Sequence, residues 1–236
     1  MCGRYNIVTN AEALIDAFEI IHSDDSIDDF LPNYNIAPSD AKTLKKAPIV
    51  YLHDHQRSLT LCCWPFLPAF AHAVVGKYCV ANAQMEKLEQ SKVYGSAWKS
   101  GQRCLVPASG FYEWQIQTKK GPKQPYNIKL KDQELFAMAG VRGVSSTKDG
   151  SVNMMSFAII TLPANPLMAE IHNDKKRMPA LLSKAQQQVW LGADNNAAMD
   201  CIKQYPQEKM SATPITTYLN NPNNIDVRCL DPLLEH

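Results

Sequence analysis

Four short stretches of this 236-residue chain carry side chains that can do chemistry. Cys2 follows Met1, and removal of Met1 would leave a free α-amine on the same residue as its thiol, a pair of groups that no internal residue carries. Glu113 lies in an otherwise apolar and aromatic strand, where a carboxylate is either paired or has a raised pKa. His172 follows an apolar helical stretch that can hold an imidazole beside a cleft. The stretches are MCGR at 1–4, VANAQME at 80–86, SGFYEW at 109–114 and EIHNDKKRMPA at 170–180.

Each of these residues also has an explanation that involves no chemistry. Glu113 can face water from one side of its strand. His172 can be a half-buried histidine with satisfied polar atoms, and Asn82 can be a turn residue. Cys2 can belong to a frayed terminus. Taken one at a time, these residue types leave the function open.

The composition is that of an ordinary globular protein, with 45% hydrophobic and 20% charged residues. Because 24 basic residues are balanced by 23 acidic ones, no overall basic field draws the protein onto a polyanion, and any nucleic-acid contact must be a local patch. The chain has neither the apolar run of a signal peptide nor one long enough to span a membrane. We therefore expect a cytoplasmic protein.

The seven cysteines do not have the pattern of a disulfide framework. Their number is odd, they include the adjacent pair Cys62 and Cys63, and no CxxC spacing occurs. His53 and His55 have no paired-thiol motif beside them, so they are expected to be hairpin-turn residues and not zinc ligands. The sequence implies no metal and no organic cofactor.

The elements that must position these residues follow from hydrophobic periodicity. A capping box from Thr9 to Glu12 precedes apolar positions 14, 17, 18 and 21 and predicts a helix. Residues 47–53 and 58–64 flank a polar turn and predict a β-hairpin. Further strands are expected at 103–107, 111–116, 126–130, 135–142 and 153–162. Further helices are expected near 85–98, at 183–191 behind the capping box from Ser183 to Gln186, and at 195–204.

Runs of strands with helices at intervals favour an α+β architecture with mainly antiparallel, barrel-like sheets and flanking helices. We expect one domain over residues 1–233. Residues 234–236 (LEH) are interpreted as the remnant of a histidine tag.

Taken together and in order, several motifs resemble the SRAP family, the SOS-response-associated peptidases, also called abasic-site processing proteins. The motifs are MCGRY at 1–5, YNIAPS at 34–39, a W-then-P-then-aromatic segment at 64–70, ANAQMEK at 81–87, GFYEW at 110–114, QPYNI at 124–128 and IH…RMPALL at 171–182. A weaker similarity continues through TPITTYLNNPNN at 213–224.

The resemblance implies covalent capture of abasic sites in single-stranded DNA through the N-terminal cysteine, as part of the DNA damage response. A ring-opened abasic deoxyribose presents an aldehyde, which an amine converts to an imine. A thiol on the adjacent carbon then closes on the imine to form a thiazolidine. Reference pKa values of about 8 for the amine and about 8.5 for the thiol leave neutral amine at cellular pH. The family is also credited with self-processing at Met1 and with lyase or crosslink-reversal activity.

The resemblance also implies residue roles. Cys2 would be the nucleophile, Asn82 would position the amine and the sugar, Glu113 would shuttle protons, and His172 would assist sugar ring opening and the reverse reaction. The implied DNA contacts are Gly3, Arg4, Asn35, Pro38, Phe70, Gln84, Thr161 and Arg177. The expected partner is single-stranded DNA with abasic sites, bound by a monomer that is nucleoid-associated when on DNA, with no membrane contact and no protein partner indicated.

Three departures from the family pattern bear on DNA binding. Gln84 stands where the family usually has an arginine, so one phosphate-binding charge is absent. Phe70 stands where the family usually has a tryptophan that supports an unstacked base. The spacing between His172 and Arg177 is stretched by the segment 173–176, whose two lysines offer replacement charge.

Two other functions stay open. Amidohydrolases of the N-terminal-nucleophile kind also begin with Met-Cys-Gly, and their thiol attacks a carboxamide while the α-amine acts as base. This chain lacks the remaining motifs of that group and has GFYEW and IH…RMP instead. A non-catalytic single-strand binder would use aromatic and basic surface without the cysteine. Reversible, salt-sensitive binding without a covalent adduct would support that function.

Overall fold

The computed structural model describes residues 3–24, 26–40, 44–74 and 78–233. Cys2 and the expected tag remnant at 234–236 lie outside the described residues. Within the described ranges the chain is an α+β structure built on mainly antiparallel sheets, which confirms the expected fold class.

Strands make up most of the regular structure. In chain order the strands are β1 (Arg4–Ile7), β2 (His22–Ser23), β3 (Asn33–Ile36), β4 (Lys46–His53), β5 (Gln56–Cys63), β6 (Asn82–Gln84), β7 (Arg103–Ala108), β8 (Gly110–Gln115), β9 (Gln124–Leu130), β10 (Phe136–Ser146), β11 (Asn153–Pro163), β12 (Arg177–Pro179), β13 (Leu181–Leu182) and β14 (Met210–Pro214). The helices are α1 (Ala11–Phe18), α2 (Ile27–Phe30), α3 (Gly95–Lys99), α4 (Pro166–Ile171), α5 (Lys184–Gly192) and α6 (Asn195–Cys201). Single 3₁₀ turns lie at Ala69–Ala71, Met85–Lys87, Gln207–Lys209, Thr217–Asn220 and Val227–Leu230.

The strands form two sheets, one of which closes on itself. The first sheet is antiparallel, in the order β14-β9-β8-β1-β3. The second follows the order β12-β11-β10-β7-β4-β5-β2, and β6 and β13 are added to β11 and β10. Because β11 also pairs with β5, at Ser156 and Cys63, the strands β5, β4, β7, β10 and β11 form a closed ring. The expected barrel-like sheet is therefore confirmed.

The two sheets share one apolar core. Tyr5 and Phe111 come from the first sheet, Phe157 comes from the second, and all three are fully buried. Trp64 stacks on Phe157 with ring centroids 5.9 Å apart. Only a short break separates β7 of the barrel from β8 of the first sheet, at Ser109. At Gly110, where β8 begins, a Cβ atom would lie 2.6 Å from Asn127 Oδ1, so this close approach requires glycine.

The first helix begins at Ala11, as predicted, but its capping residue differs from the predicted one. Asn10 is the N-cap, and its side chain accepts a hydrogen bond from the Ala13 amide at 2.9 Å. The predicted Thr9 cap is wrong because an asparagine, which caps at least as well as threonine, stands next to it. The helix ends at Phe18, short of residue 21, because Glu19 adopts a left-handed conformation with φ 54°. The chain then turns so that the Ile21 amide bonds Arg57 O.

The long helix expected near 85–98 is also wrong. A 3₁₀ turn at Met85–Lys87 and the short α3 occupy its ends. Between them, Ser91 Oγ accepts hydrogen bonds from the amides of Val93 and Tyr94 at 3.1 and 3.4 Å. A serine hydroxyl that satisfies nearby amides competes with the helical ladder.

The remaining predicted elements are observed, with shifted ends. The hairpin of β4 and β5 turns at Asp54 and His55, and the five predicted strands correspond to β7 to β11. Helix α5 has the predicted capping box, with both Ser183 and Gln186 engaged. Helix α6 ends earlier than predicted, at Cys201. The short strands β6, β12, β13 and β14 were not predicted, because two to five residues carry too little periodicity.

The described ranges show neither a membrane span nor a metal cluster. No helix in them is long and apolar enough to cross a membrane. No group of three or more His, Cys, Asp or Glu side chains in them is placed to hold a metal ion. His53 and His55 are exposed at the hairpin turn, the position expected for them.

Candidate active site

Three of the four predicted catalytic residues line one cleft. Asn82, Glu113 and His172 come from β6, β8 and the end of α4, and they enclose a space of about 400 Å³. The other residues that line this cleft are Trp114, Lys123, Asp174 and Lys175. Cys2, the fourth predicted catalytic residue, lies outside the described residues.

Glu113 is buried because of its position in β8. Alternate residues of a strand face the same side of a sheet, so Glu113 shares the face of Phe111, which packs into the main core. Its side chain is 3% exposed, and the water-facing alternative is therefore wrong. Burial raises the pKa of Glu113 to about 7. At neutral pH the carboxyl group is then divided between its acid and base forms, which suits proton transfer.

His172 is held at the end of α4 by the backbone of Arg177. The helix begins at the N-cap Asn165, and the His172 amide bonds Met168 O at 2.8 Å. His172 Nδ1 lies 2.9 Å from Arg177 O and 3.3 Å from Arg177 N. The contact with Arg177 O requires a proton on Nδ1, whereas the contact with the Arg177 N–H requires a lone pair there. The carbonyl can only accept a hydrogen bond and its contact is shorter, so Nδ1 carries the proton.

The imidazole and the carboxyl group lie close together, and burial favours the neutral form of each. His172 Nε2 lies 3.9 Å from Glu113 Oε2. Burial lowers the pKa of His172, while it raises the pKa of Glu113. With the proton on Nδ1, the Nε2 lone pair points toward Glu113. The arrangement provides a proton acceptor and a proton donor side by side, which is the pairing that acid–base catalysis needs.

Asn82 lies in a strand and not in a turn. β6 runs parallel to β11, with Asn82 opposite Ile159. The Asn82 Oδ1 atom is buried, and no described residue donates a hydrogen bond to it. Buried polar atoms are nearly always satisfied, so this atom is available to a donor that enters the cleft.

Two of the predicted DNA contacts, Arg4 and Asn35, hold the segment 219–224 in this structure. The Arg4 guanidinium donates to Leu219 O and Asn220 O and lies over the Trp114 ring, 5.5 Å from its centroid. The Asn35 side chain is buried, and its Nδ2 lies 2.8 to 3.1 Å from three carbonyls of the same segment. Both side chains therefore anchor the chain near the cleft. Whether they also contact DNA stays a prediction.

Two further predicted contacts, Thr161 and Arg177, bind each other and a glutamate. Arg177 makes a bidentate ion pair with Glu86, with both N···O distances at 2.9 Å. Arg177 Nη2 also donates to Thr161 O at 2.6 Å, and Thr161 is fully buried. Gln84 lies opposite Thr161 in the pairing of β6 with β11. The hydrogen bonds from Arg177 lower the pKa of Glu86.

The remaining predicted contacts lie closer to the surface. Phe70 is 49% exposed and meets Tyr78 edge to face, with ring centroids 5.3 Å apart. Exposed aromatic rings of this kind can stack on bases. Gly3 and Pro38 are half-buried, just before β1 and just after β3. Their DNA contacts also stay predictions.

Sequence reasoning missed several residues of this region. Glu86, Trp114 and Asp174 lie inside quoted motifs, so their closeness to the functional residues was available as a signal. Lys123 lies in a loop whose polar composition gave no indication that it lines the cleft. Glu86 is the most informative of these, because its contact with Arg177 joins two walls of the cleft.

Comparisons with known proteins agree with this geometry. The family model described as SOS response associated peptidase (SRAP) matches residues 1–222. The chain belongs to the SRAP family. It is 30% identical to the Bacillus subtilis protein named abasic site processing protein YoqW, over 95% of this chain and 96% of that one. It is 25% identical to the Xenopus tropicalis protein named abasic site processing protein HMCES, over 89% of this chain and 69% of that one.

A solved structure of a Bacteroides thetaiotaomicron protein shares the fold, with a TM-score of 0.82. Its sequence is 24% identical, and the match covers 99% of this chain and 100% of that one. At this identity the likeness supports the SRAP fold alone. The names of the sequence relatives support a role in processing abasic sites.

Proposed function

We propose that this SRAP protein captures abasic sites in single-stranded DNA covalently, through the aminothiol of Cys2 after removal of Met1. The observation that carries the proposal is the buried pair of His172 and Glu113, 3.9 Å apart in a cleft that also contains Asn82. This pair can move protons without first neutralising an ion pair. The names of the relatives supply the substrate class.

The register of the first sheet supports a role for the N-terminus. β1 begins at Arg4, which lies opposite Tyr112, the neighbour of Glu113. Two residues of extended chain span at most about 7 Å. We therefore propose that the aminothiol of Cys2 acts beside the strand that carries Glu113.

The proposed reaction is a balanced sequence that returns both acid–base groups to their starting forms. His172 Nε2 takes the proton of the anomeric hydroxyl while protonated Glu113 gives a proton to the ring oxygen, which opens the sugar to its aldehyde. The α-amine of Cys2 adds to the aldehyde carbon, and one of its protons passes to the carbonyl oxygen. Protonated His172 then gives its proton to the leaving hydroxyl, which departs as water, while ionised Glu113 takes the second proton from nitrogen to leave an imine. The thiol sulfur then adds to the imine carbon, and its proton passes to the nitrogen. Asn82 Oδ1 accepts a hydrogen bond from the amine and orients it.

The charge of the cleft suits DNA despite the neutral Gln84. Lys123 and Lys175 line the cleft beside Asp174, and lysines bind phosphate groups as point charges. The proposal therefore places the phosphates that flank the abasic sugar near these two lysines. We also propose self-processing at Met1 and reversal of the crosslink at the same site, within a monomer whose single domain spans residues 1–233.

The test is a denaturing gel of DNA with one abasic site, after intact mass has verified that Met1 is absent. Wild type is expected to give a slow band without any reductant. Cys2→Ser keeps the α-amine and loses the thiol, so it should give a band only after borohydride reduces the imine. If processed wild type gives no stable band, the proposal is refuted. Reversible binding alone would then favour a non-catalytic binder, and release of ammonia from glutamine would favour an amidohydrolase.

A further inference from the structure

We propose that Glu86 is a positioning residue for His172 and acts through Arg177. Neither Glu86 nor Arg177 is among the residues that line the cleft, and the resemblance assigns Glu86 no role. The inference rests on the proposed function only for its activity measurement. Its structural part concerns the orientation and protonation of one imidazole.

The Arg177 side chain is fixed from two directions. The Glu86 carboxylate accepts hydrogen bonds from both terminal nitrogens of Arg177. A bidentate pair of this kind fixes the plane of the guanidinium as well as its position. Thr161 O accepts a further hydrogen bond from Nη2, at 2.6 Å. The Arg177 side chain is 14% exposed in this pair. Loss of the Glu86 charge would leave this largely buried cation without the negative charge that pairs with it.

The backbone of the same residue holds the imidazole. Arg177 O is the acceptor for His172 Nδ1–H, so the position of this carbonyl decides which ring nitrogen carries the proton. The loop between the two residues ends in Lys176, which has a left-handed φ of 48° and whose amide bonds His172 O at 2.8 Å. A non-glycine residue persists in this conformation only when its surroundings hold it there. The anchored Arg177 side chain is one such restraint.

The ion pair also joins two walls of the cleft. Glu86 lies in the 3₁₀ turn at Met85–Lys87, directly after β6, and β6 carries Asn82. Arg177 begins β12 on the other side of β11, opposite Pro163. The pair of Glu86 with Arg177 therefore spans β11 and sets the position of the Asn82 wall relative to the His172 wall.

A different role for Glu86 would be to occupy Arg177 until a DNA phosphate displaces it. The orientation of the guanidinium argues against this role. Arg177 Nε is buried and has no hydrogen-bond partner among the described residues, so this edge is turned away from solvent. The two roles predict different DNA affinities when the charge of Glu86 is removed: the positioning role predicts little change, and the displacement role predicts a rise.

The test compares Glu86→Gln with Glu89→Gln, a matched change at an exposed glutamate three residues further on. Nitrogen-15 NMR of the histidine rings, on full-length protein without DNA, reports the tautomer of His172, assigned with His172→Gln. Wild type and Glu89→Gln should show the Nδ1–H form, and Glu86→Gln should show a mixture with the Nε2–H form. Crosslink formation by Glu86→Gln should be about 10-fold slower, which corresponds to about 1.4 kcal/mol. Affinity for the DNA should stay within about 2-fold.

A double variant supplies a readout that a general loss of structure would not produce. If Glu86 acts through Arg177, Glu86→Gln combined with Arg177→Gln should crosslink no more slowly than Arg177→Gln alone. The proposal is overturned if the His172 tautomer in Glu86→Gln matches wild type, or if the two substitutions slow the reaction independently. A rise in DNA affinity would overturn it in favour of the displacement role. If wild type fails to crosslink, the proposed function is refuted. The tautomer measurement alone then tests this inference.

Discussion

Replacement of Glu113 by glutamine should stabilise the fold relative to wild type as the pH rises toward 7. Burial raises the pKa of Glu113 from 4.5 to about 7, so between these values the folded state binds more protons than the unfolded state. Wild type therefore loses stability as the pH rises through this window, and the loss is complete above about pH 7. One pH unit of pKa shift corresponds to about 1.36 kcal/mol, which gives a total of about 3 kcal/mol. Glutamine has no charge to bury and should not show this loss.

The measurement is urea unfolding of both proteins at several values between pH 4 and pH 8, followed by tryptophan fluorescence. The difference in unfolding free energy between Glu113→Gln and wild type should grow by about 3 kcal/mol across this range. Glu89→Gln, the same change at an exposed site, is the control. Parallel curves for Glu113→Gln and wild type would mean that Glu113 titrates normally, and the argument for its acid–base role would fail. The same substitution should abolish crosslinking at all pH values.

Two further predictions concern the hydrogen bonds of Asn10 and Asn35. Asn10→Ala should lower the unfolding free energy by about 1 kcal/mol because α1 loses its N-cap. Thr9→Ala should change it by a few tenths of a kcal/mol at most. If thermal unfolding gives the opposite ranking, Thr9 is the cap, as the sequence predicted. Asn35→Ala should cost about 2 kcal/mol, since buried carbonyls of 219–224 lose their donor, and hydrogen exchange should increase in that segment. Unchanged exchange there would indicate that Asn35 serves mainly another purpose.

The sequence predicted the elements whose pattern is long and regular. The hairpin of β4 and β5, the strands β7 to β11 and the capping box at Ser183 all have strong local signals, and all are observed. The predictions of secondary structure are wrong where two local hydrogen-bonding arrangements compete. Thr9 and Asn10 both cap helices, and Ser91 offers its hydroxyl to amides that a helix would otherwise use. Propensity and spacing do not decide between such alternatives.

The residues of the candidate site were predictable from sequence motifs, but their interaction partners were not. The motifs identified Asn82, Glu113 and His172, and the structure brings them into one cleft. The partners of charged side chains were not predictable, because they depend on contacts between residues far apart in the chain. Glu86 and Arg177 are separated by 91 positions, and no local pattern relates them.

Several energetically unfavourable features lie within or beside the cleft, and they are observed independently of the family resemblance. A carboxyl group buried enough to raise its pKa, an amide oxygen without a donor among the described residues and a left-handed lysine lie within or beside the same cleft. Each feature destabilises a fold, and natural sequences retain such features mainly where function needs them. Regular elements elsewhere, such as the capped helix α5, obey local rules. These features around Glu113 support the proposed site, and the names of the SRAP relatives support the proposed substrate class.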